Sequence, residues 1–281
     1  MTNPSPFQAK TAKSSESAAA AKWNAAEYAA HSAVQQSWAR ELIARLNLRG
    51  DEHILDVGCG DGKVTAEIAN AVLRGSATGI DASIEMIDFA KTTFPARKSP
   101  NLEFHVMDAR KIKFDRRFDL IFSNAALHWV DDHQAILRGM ALVLKPGGRL
   151  IVSCGGKGNA QDVFIALRPE LRLKRWGKYF RKMPKPYFFY SPADYEKWLP
   201  KFGFKIQSLQ LVSKDATYAG ADGFTAWLRT TWLPYIQRVP ENLREKFIVA
   251  VANRYIARHP PDAQNKVHVR MVRLEIEAVK V

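Results

Sequence analysis

The residues best placed to do chemistry begin with three glycines on alternate positions, Gly58, Gly60 and Gly62, in the run Ile54-Leu-Asp-Val-Gly-Cys-Gly-Asp-Gly62. The run follows a strand-like segment and opens a helix-like one, so positions without a Cβ let the backbone come close to a ligand at a helix N-terminus. A dinucleotide turn reads G-x-G-x-x-G and holds a pyrophosphate. Here the third glycine comes one residue early, which disfavours a dehydrogenase. Asp81 stands nineteen residues beyond Gly62, at the tip of the next apolar strand, where a carboxylate accepts hydrogen bonds from both hydroxyls of a ribose. Turn and aspartate together describe a nucleoside pocket; the competing assignment for Asp81 is the cap of the helix beginning at Ser83. Asp108 ends a third strand, placed to accept from the exocyclic amine of adenine or to serve as an ordinary loop aspartate. Asp56 lies within the first strand, where a buried carboxylate needs a partner: the ammonium of a bound amino acid, or backbone amides. The fourth strand ends at Ser123-Asn124-Ala-Ala-Leu-His128-Trp129, beside the reactive end of such a ligand. His128 can orient an acceptor or take its proton, since histidine titrates near neutrality; a histidine merely packed on Trp129 is the alternative. Trp129 walls a cavity or belongs to the core.

The elements that must position these groups alternate along the chain. Strand-like runs at 52–57, 77–80, 102–106, 118–123 and 150–154 are separated by helical stretches at 63–73, 83–89 and 135–144. This rhythm predicts an α/β fold: a doubly wound, mostly parallel sheet made by right-handed crossovers. Pro146-Gly147-Gly148 makes the turn into the fifth strand. Ahead of the first strand, Trp23 to Leu48 carries apolar residues at helical spacing and is closed by Gly50. Tyr28, His31 and Gln35 share one face of that helix and are placed to close the pocket. Residues 1–22 lack apolar periodicity and read as a mobile tail. After Cys154 the alternation breaks into an irregular, partly helical excursion at 155–190. Ser191-Pro192-Ala-Asp194 then starts a helix, 204–212 reads as a strand, 221–236 and 241–258 as helices, and 267–279 as a final strand. The two helices between the last strands form a lid over the carboxyl edge or a packing layer on a sheet face. On that lid, Trp227 can pack on the apolar part of an acceptor and Arg229 can grip a carboxylate bidentately. The expected organisation is one domain over 23–281, with a ligand-binding core at 50–155 and cap elements at 23–48, 156–200 and 220–260.

At 281 residues and 47% hydrophobic content, the chain fills one generous α/β domain. No run approaches the roughly 20 apolar residues of a membrane span. Lys10, Lys13, Glu16 and Lys22 interrupt the N-terminal alanines, so no signal pattern is present and a cytoplasmic location is expected. Cys59 and Cys154 are the only cysteines, which supports neither a disulfide framework nor a zinc site, and no metal is expected. The net charge of +14 suits a nucleic acid, an acidic membrane surface or anionic small substrates. Much of it falls at Arg168, Arg172, Lys174, Arg175, Lys178, Arg181, Lys182 and Lys185, interleaved with aromatics. The plain reading is a solvated basic face with the aromatics packed underneath.

Five ordered segments, Asp56-Val-Gly-Cys-Gly-Asp-Gly62, Gly79-Ile-Asp-Ala-Ser83, Met107-Asp-Ala109, Phe118-Asp-Leu-Ile-Phe-Ser-Asn124 and Leu144-Lys-Pro-Gly-Gly148, resemble the motifs of class I methyltransferases that use S-adenosylmethionine (SAM). The resemblance covers 52–154. It implies a seven-stranded Rossmann-like sheet and SAM as cofactor, bound by Asp56, Gly58, Cys59, Gly60, Asp81, Ala82, Met86, Asp108, Ala109 and Asn124. Met86 would pack on adenine, and Asn124 would offer its backbone carbonyl to the methionine amine. Ser123 to Val130, Asp132-His133, Ala226 to Pro234 and Arg273-Leu274 resemble the small-acid methyltransferases, the trans-aconitate and juvenile hormone acid enzymes among them. That resemblance implies transfer to a carboxylate oxygen of a small acidic molecule; His128 would orient it, and the helix-face and lid positions place Tyr28, Gln35, Trp129, Trp227 and Arg229 around it. The chain departs from the group at His128, where trans-aconitate enzymes tend to have Gln, in its N-terminal tail and in the basic stretch. Alternatives are a nucleic-acid-modifying enzyme, a C- or N-methyltransferase of a biosynthetic pathway, and a SAM-binding protein without catalysis. Ser-Asn-Ala-Ala is not the Asn/Asp-Pro-Pro-aromatic motif of base amino-methylation, which disfavours nucleic acid. Monomer and homodimer are both compatible with the sequence.

Overall fold

Apolar runs bounded by turns give buried parallel strands, and their alternate residues must fill two helical layers. In a computed structural model, which describes Ala25 and residues 33–281, these are β1 (His53–Val57), β2 (Ser76–Asp81), β3 (Leu102–Val106), β4 (Phe118–Asn124) and β5 (Leu144–Gly155). Leu55 and Val57 share one layer with Ile136 and Met140 of α4 (His133–Val143). Ile54 and Phe122 face the other, with Leu42 of α1 (Ala33–Ala44) and Ile68 of α2 (Lys63–Ala71). Helix α3 (Ile84–Thr93) starts at Ser83, whose hydroxyl accepts from the Met86 amide at 3.2 Å. The tail at 1–22, Tyr28, His31 and the Gln35 side chain lie outside the described residues.

With β6 (Phe204–Ala219) and β7 (Lys266–Lys280), the sheet has seven strands in the order β3-β2-β1-β4-β5-β7-β6. Strand β7 runs antiparallel to both its neighbours. The expected doubly wound, mostly parallel sheet is therefore present, and its order reverses between β1 and β4, where open α/β sheets leave a crevice at their carboxyl ends. Phe118 pairs with Leu144 and Leu120 with Arg149, so 145–148 bulge out of the ladder, with Gly147 at φ 74°.

The strand expected at 204–212 runs on to Ala219. Strand β5 stops pairing with β7 at Gly155↔Arg273, whereas β6 and β7 stay paired out to Ala219↔Lys266. The result is a two-stranded arm projecting roughly 20 Å past the carboxyl edge, at about 3.3 Å per residue. Its inward residues, Ala216 and Val269, share a core with Val163 of α5 (Gln161–Arg172), Phe224 of α7 (Gly220–Thr231) and Val251 of α8 (Glu241–Ile256). Helix α6 (Pro192–Trp198) begins with the expected capping residues, the Ser191 amide donating to Asp194 at 2.8 Å. Arm and helices share this core beyond the carboxyl ends of the central strands and are referred to below as the cap.

The basic stretch behaves as a solvated face over packed aromatics. Every Lys and Arg from Arg168 to Lys185 is exposed, while Trp176 and Tyr187 are buried. Glu170, beneath them, joins α5 to α8 by accepting from Arg254 at 2.8 Å and from Arg175 and Trp176 at 3.1 Å. Among the described residues, no helix is long and apolar enough to cross a membrane, and no His, Cys, Asp and Glu cluster is arranged to hold a metal.

Candidate active site

The glycine turn divides its labour. Gly58, Gly60 and Gly62 have φ of 80°, 54° and 81°, values that side chains rarely tolerate. The amides of Gly58 and Cys59 donate to the Ile80 carbonyl at 2.8 and 3.0 Å, tying the turn to β2. A Cβ on Gly58 would sit 2.1 Å from that of Ala126, and one on Gly62 would strike Phe104 and Ala90. Gly60 alone faces open space, with nothing within 4 Å of its would-be Cβ. Gly58→Ala is thus expected to lose about 3 kcal/mol or more of stability from overlap plus left-handed strain. Gly60→Ala should lose only about 1 kcal/mol yet weaken cofactor binding, and thermal melts paired with SAM titrations separate the two.

Asp81, half-buried at the tip of β2, accepts from the Gly60 amide at 3.0 Å and the Ser83 amide at 2.9 Å. Burial pushes its carboxyl upward against those donors. It therefore braces the turn and α3 while presenting remaining lone pairs at the crevice. Asp56 is buried, and its partner is the Thr65 hydroxyl of α2 at 2.7 Å, where the sequence suggested an ammonium or amides. Desolvation raises it to about 7, with the charge of Asp81 adding. Met86 is buried, Ala82 exposed and Ala109 half-buried. The Cys59 thiol packs on β2, 2.9 Å from where a Cβ on Gly79 would stand, and burial pushes it well up.

Asp108 caps the turn that follows β3 and is gripped by Arg110, at 2.7 Å from Nη2, which holds its carboxyl below the usual range. Arg110 Nη1 reaches across to Asp131 at 2.9 Å, so a residue the sequence did not single out links the loops after β3 and β4. Half-buried Asn124 accepts on Oδ1 from Arg273 at 2.9 Å. Ala125 beyond it is left-handed, with φ 57°.

A cavity of about 90 Å³ lies between the carboxyl edge and the cap. Ala125, His128, Trp129 and Arg273 line it from the sheet side, with Phe164, Trp227 and Trp232 opposite. Trp38 of α1 and the pair Tyr187 and Phe189 complete the walls. Its volume is well below the ~300–1,000 Å³ usual for small-molecule sites. Trp129 meets Tyr187 edge-on at 4.9 Å, and Trp227 stacks on Tyr218 at 5.0 Å.

The His128 Nδ1 accepts from the Gly155 amide at 3.2 Å, which places the ring proton on Nε2. Burial, then the charges of Arg273 and His133, lowers it to about 3. At neutral pH it is a donor of very low basicity, suited to orienting an acceptor. His133, buried and bonded to Tyr195 and the Leu127 carbonyl, is lowered to about 4, chiefly by burial. Both stay neutral in the fold but charge in the unfolded chain below about pH 6.5, so the stability they support is complete above that pH and lost as pH falls. Asp56, with its raised folded value, acts in the opposite sense. Denaturant titrations of wild type and His128→Asn from pH 7 to 5 should differ in slope by up to about 1.4 kcal/mol per pH unit, the variant being flatter. Equal slopes would show that His128 is not held neutral by burial.

Arg273 is buried on β7. Its Nε donates to the Ser153 hydroxyl at 3.1 Å, its Nη2 to the Ser153 carbonyl at 2.6 Å, and its guanidinium lies 5.3 Å from the Trp38 ring centre. Arg229, expected beside Trp227, is instead bonded bidentately to Glu245 of α8 at 2.7 and 2.8 Å and does not line the cavity. Two residues apart on a helix, these side chains point to different sides. The structure thus brings together His128, Trp129 and Trp227, adds Arg273, Phe164, Tyr187 and Phe189, and leaves Arg229 outside.

Comparison with known proteins agrees with this geometry. A methyltransferase domain family matches residues 54–148. A methyltransferase of Schizosaccharomyces pombe, named as uncharacterized, is 30% identical over 202 residues, covering 68% of this chain and 74% of its own length. The trans-aconitate 2-methyltransferase of Agrobacterium fabrum is 29% identical over 265 residues, 92% of this chain and 99% of its own. The crystal structure of the YcgJ protein from Bacillus subtilis superposes with a TM-score of 0.61 at 19% identity, over 87% of this chain and 98% of that one.

Proposed function

The chain belongs to the class I SAM-dependent methyltransferases, and from that premise we propose that it methylates a carboxylate oxygen of a small acidic molecule in the cytoplasm. The crevice suits SAM. Gly60 leaves room where a Cβ would intrude, and Asp81 offers carboxylate lone pairs to a ribose. Met86 and Asp108 would hold the adenine end, and the Asn124 backbone the methionine end. When bound, the cofactor supplies a methyl group made electrophilic by its sulfonium.

The observation that carries the reading is Arg273, a guanidinium lining the cavity at the tip of β4. A planar fork of donors matches a carboxylate, and the His128 Nε2–H supplies a further donor from the same wall. A carboxylate with a reference pKa of about 4 is already ionised at neutral pH, so it needs no base, and His128 is a poor one. Orientation and exclusion of water are then the main tasks of the protein, and the aromatic cap performs the second. The name of the Agrobacterium relative points to the same acceptor chemistry. The basic groove between α5 and α8, with Arg175, Arg254 and Arg258, shares no lining residue with the cavity, which argues against a polynucleotide led into the site.

The test uses SAM tritiated on the methyl and a panel of carboxylic acids, phenols and amines. Label that alkaline hydrolysis releases as methanol is expected. Label that survives hydrolysis would sink the carboxylate reading.

A further inference from the structure

We propose that the acceptor is a flat, conjugated monocarboxylate of the aryl-acid type and not a polycarboxylate; this rests on the reading of the cavity as a site of carboxylate methylation. Among the described residues lining the cavity, Arg273 is the one Lys or Arg. Nearly everything else is ring surface: Trp129, Phe164, Tyr187, Phe189, Trp227 and Trp232. Three of the polar groups between them are bonded to the protein. The Tyr187 hydroxyl donates to the Thr231 carbonyl at 3.0 Å, that of Thr231 to the Trp227 carbonyl at 2.7 Å, and Asn159 Oδ1 accepts from the Val272 amide at 3.0 Å.

One carboxylate can be met by Arg273 and His128. A second or third on the same molecule would be set against aromatic faces, whose quadrupole is negative, and would be buried without a counter-ion. Among the described residues, no other Lys or Arg lines the cavity. Arg229 is held by Glu245 on α8, and the basic stretch from Arg168 to Lys185 is exposed. Shape points the same way: Tyr187 and Phe189 are stacked within 5° at 5.7 Å, with Trp129 set edge-on to Tyr187. Parallel and perpendicular rings suit a planar conjugated body. The acceptor class is thus set apart from trans-aconitate, despite the 29% identity to a relative of that name.

The experiment compares kcat/KM of the full chain, at saturating tritiated SAM, for trans-cinnamate, benzoate, citrate and trans-aconitate. At least one aryl acid is expected to exceed trans-aconitate by about a hundredfold, the cost of burying unpaired charge. A polycarboxylate turned over as well as or better than the aryl acids, with alkali-labile label, overturns this inference and leaves carboxylate methylation standing. Labelling of phenols or amines alone overturns both. If nothing in the panel turns over, the order is read from quenching of tryptophan fluorescence with S-adenosylhomocysteine present. Equal or tighter binding of trans-aconitate, or binding of no acid, then overturns it; tighter binding of an aryl acid supports it.

Discussion

Arg273→Met is expected to lower kcat/KM for the carboxylate acceptor by about a hundredfold or more while moving the SAM Kd by less than about threefold. Truncating one partner of a buried, hydrogen-bonded charge pair costs about 2–5 kcal/mol, and 1.4 kcal/mol is a factor of ten. Methionine retains most of the apolar bulk against Trp38, so the cavity wall keeps its shape. The variant also leaves the Ser153 carbonyl and Asn124 Oδ1 without the donors that reach them at 2.6 and 2.9 Å, a stability loss of about 1–3 kcal/mol. A melt and a SAM titration must therefore accompany the kinetics. Arg273→Lys keeps the charge but not the fork and should fall between wild type and Met. A folded, SAM-binding Met variant with an unchanged acceptor KM would remove Arg273 from the site.

The two halves of the site differ in how far the sequence reveals them, for a physical reason. The cofactor half is built from neighbours. Strand β1, its turn and α2 are contiguous, and the register Asp56↔Gly79 and Val57↔Ile80 sets the turn against β2. Gly79 is required because a Cβ there would strike Phe104 and the Cys59 thiol. Composition, spacing and periodicity all report on such local constraints. The acceptor half joins Trp38, His128, Phe164, Tyr187, Trp227 and Arg273 from well-separated parts of the chain, and no local pattern encodes their meeting. Arg273 reaches the cavity only because β7 pairs antiparallel with β5, placing it opposite Gly155. Arg229 and Trp227 are close in sequence, which a helix converts into separation in space. The strand continues past Val212 because exposed Asp215 and Thr217 alternate with buried Ala216 and Tyr218. That extension carries the cap, whose residues form much of the cavity wall.

Asp81→Ala is expected to raise the SAM Kd by a hundredfold or more, since two charge-assisted hydrogen bonds to a ribose are worth about 1.5–3 kcal/mol each. The same change should lower the melting temperature of the ligand-free protein only modestly. It removes the acceptor for the Gly60 and Ser83 amides, but also a carboxylate that burial disfavours in its charged form. What should vanish is the rise in melting temperature on adding SAM. Asn is no milder a substitute: each carboxylate oxygen accepts a backbone N–H, so one side of an amide would turn its NH₂ toward a donor. Acceptor KM at saturating SAM should be unaffected, the converse of the Arg273 variant. In the double variant, losses that multiply would mean independent half-sites. Asn124, whose side chain holds Arg273 and whose backbone is proposed for the methionine end, joins them. A shortfall from multiplicativity that disappears in an Asn124→Ala background would locate the coupling there, whereas a shortfall that persists would show that it runs through another route.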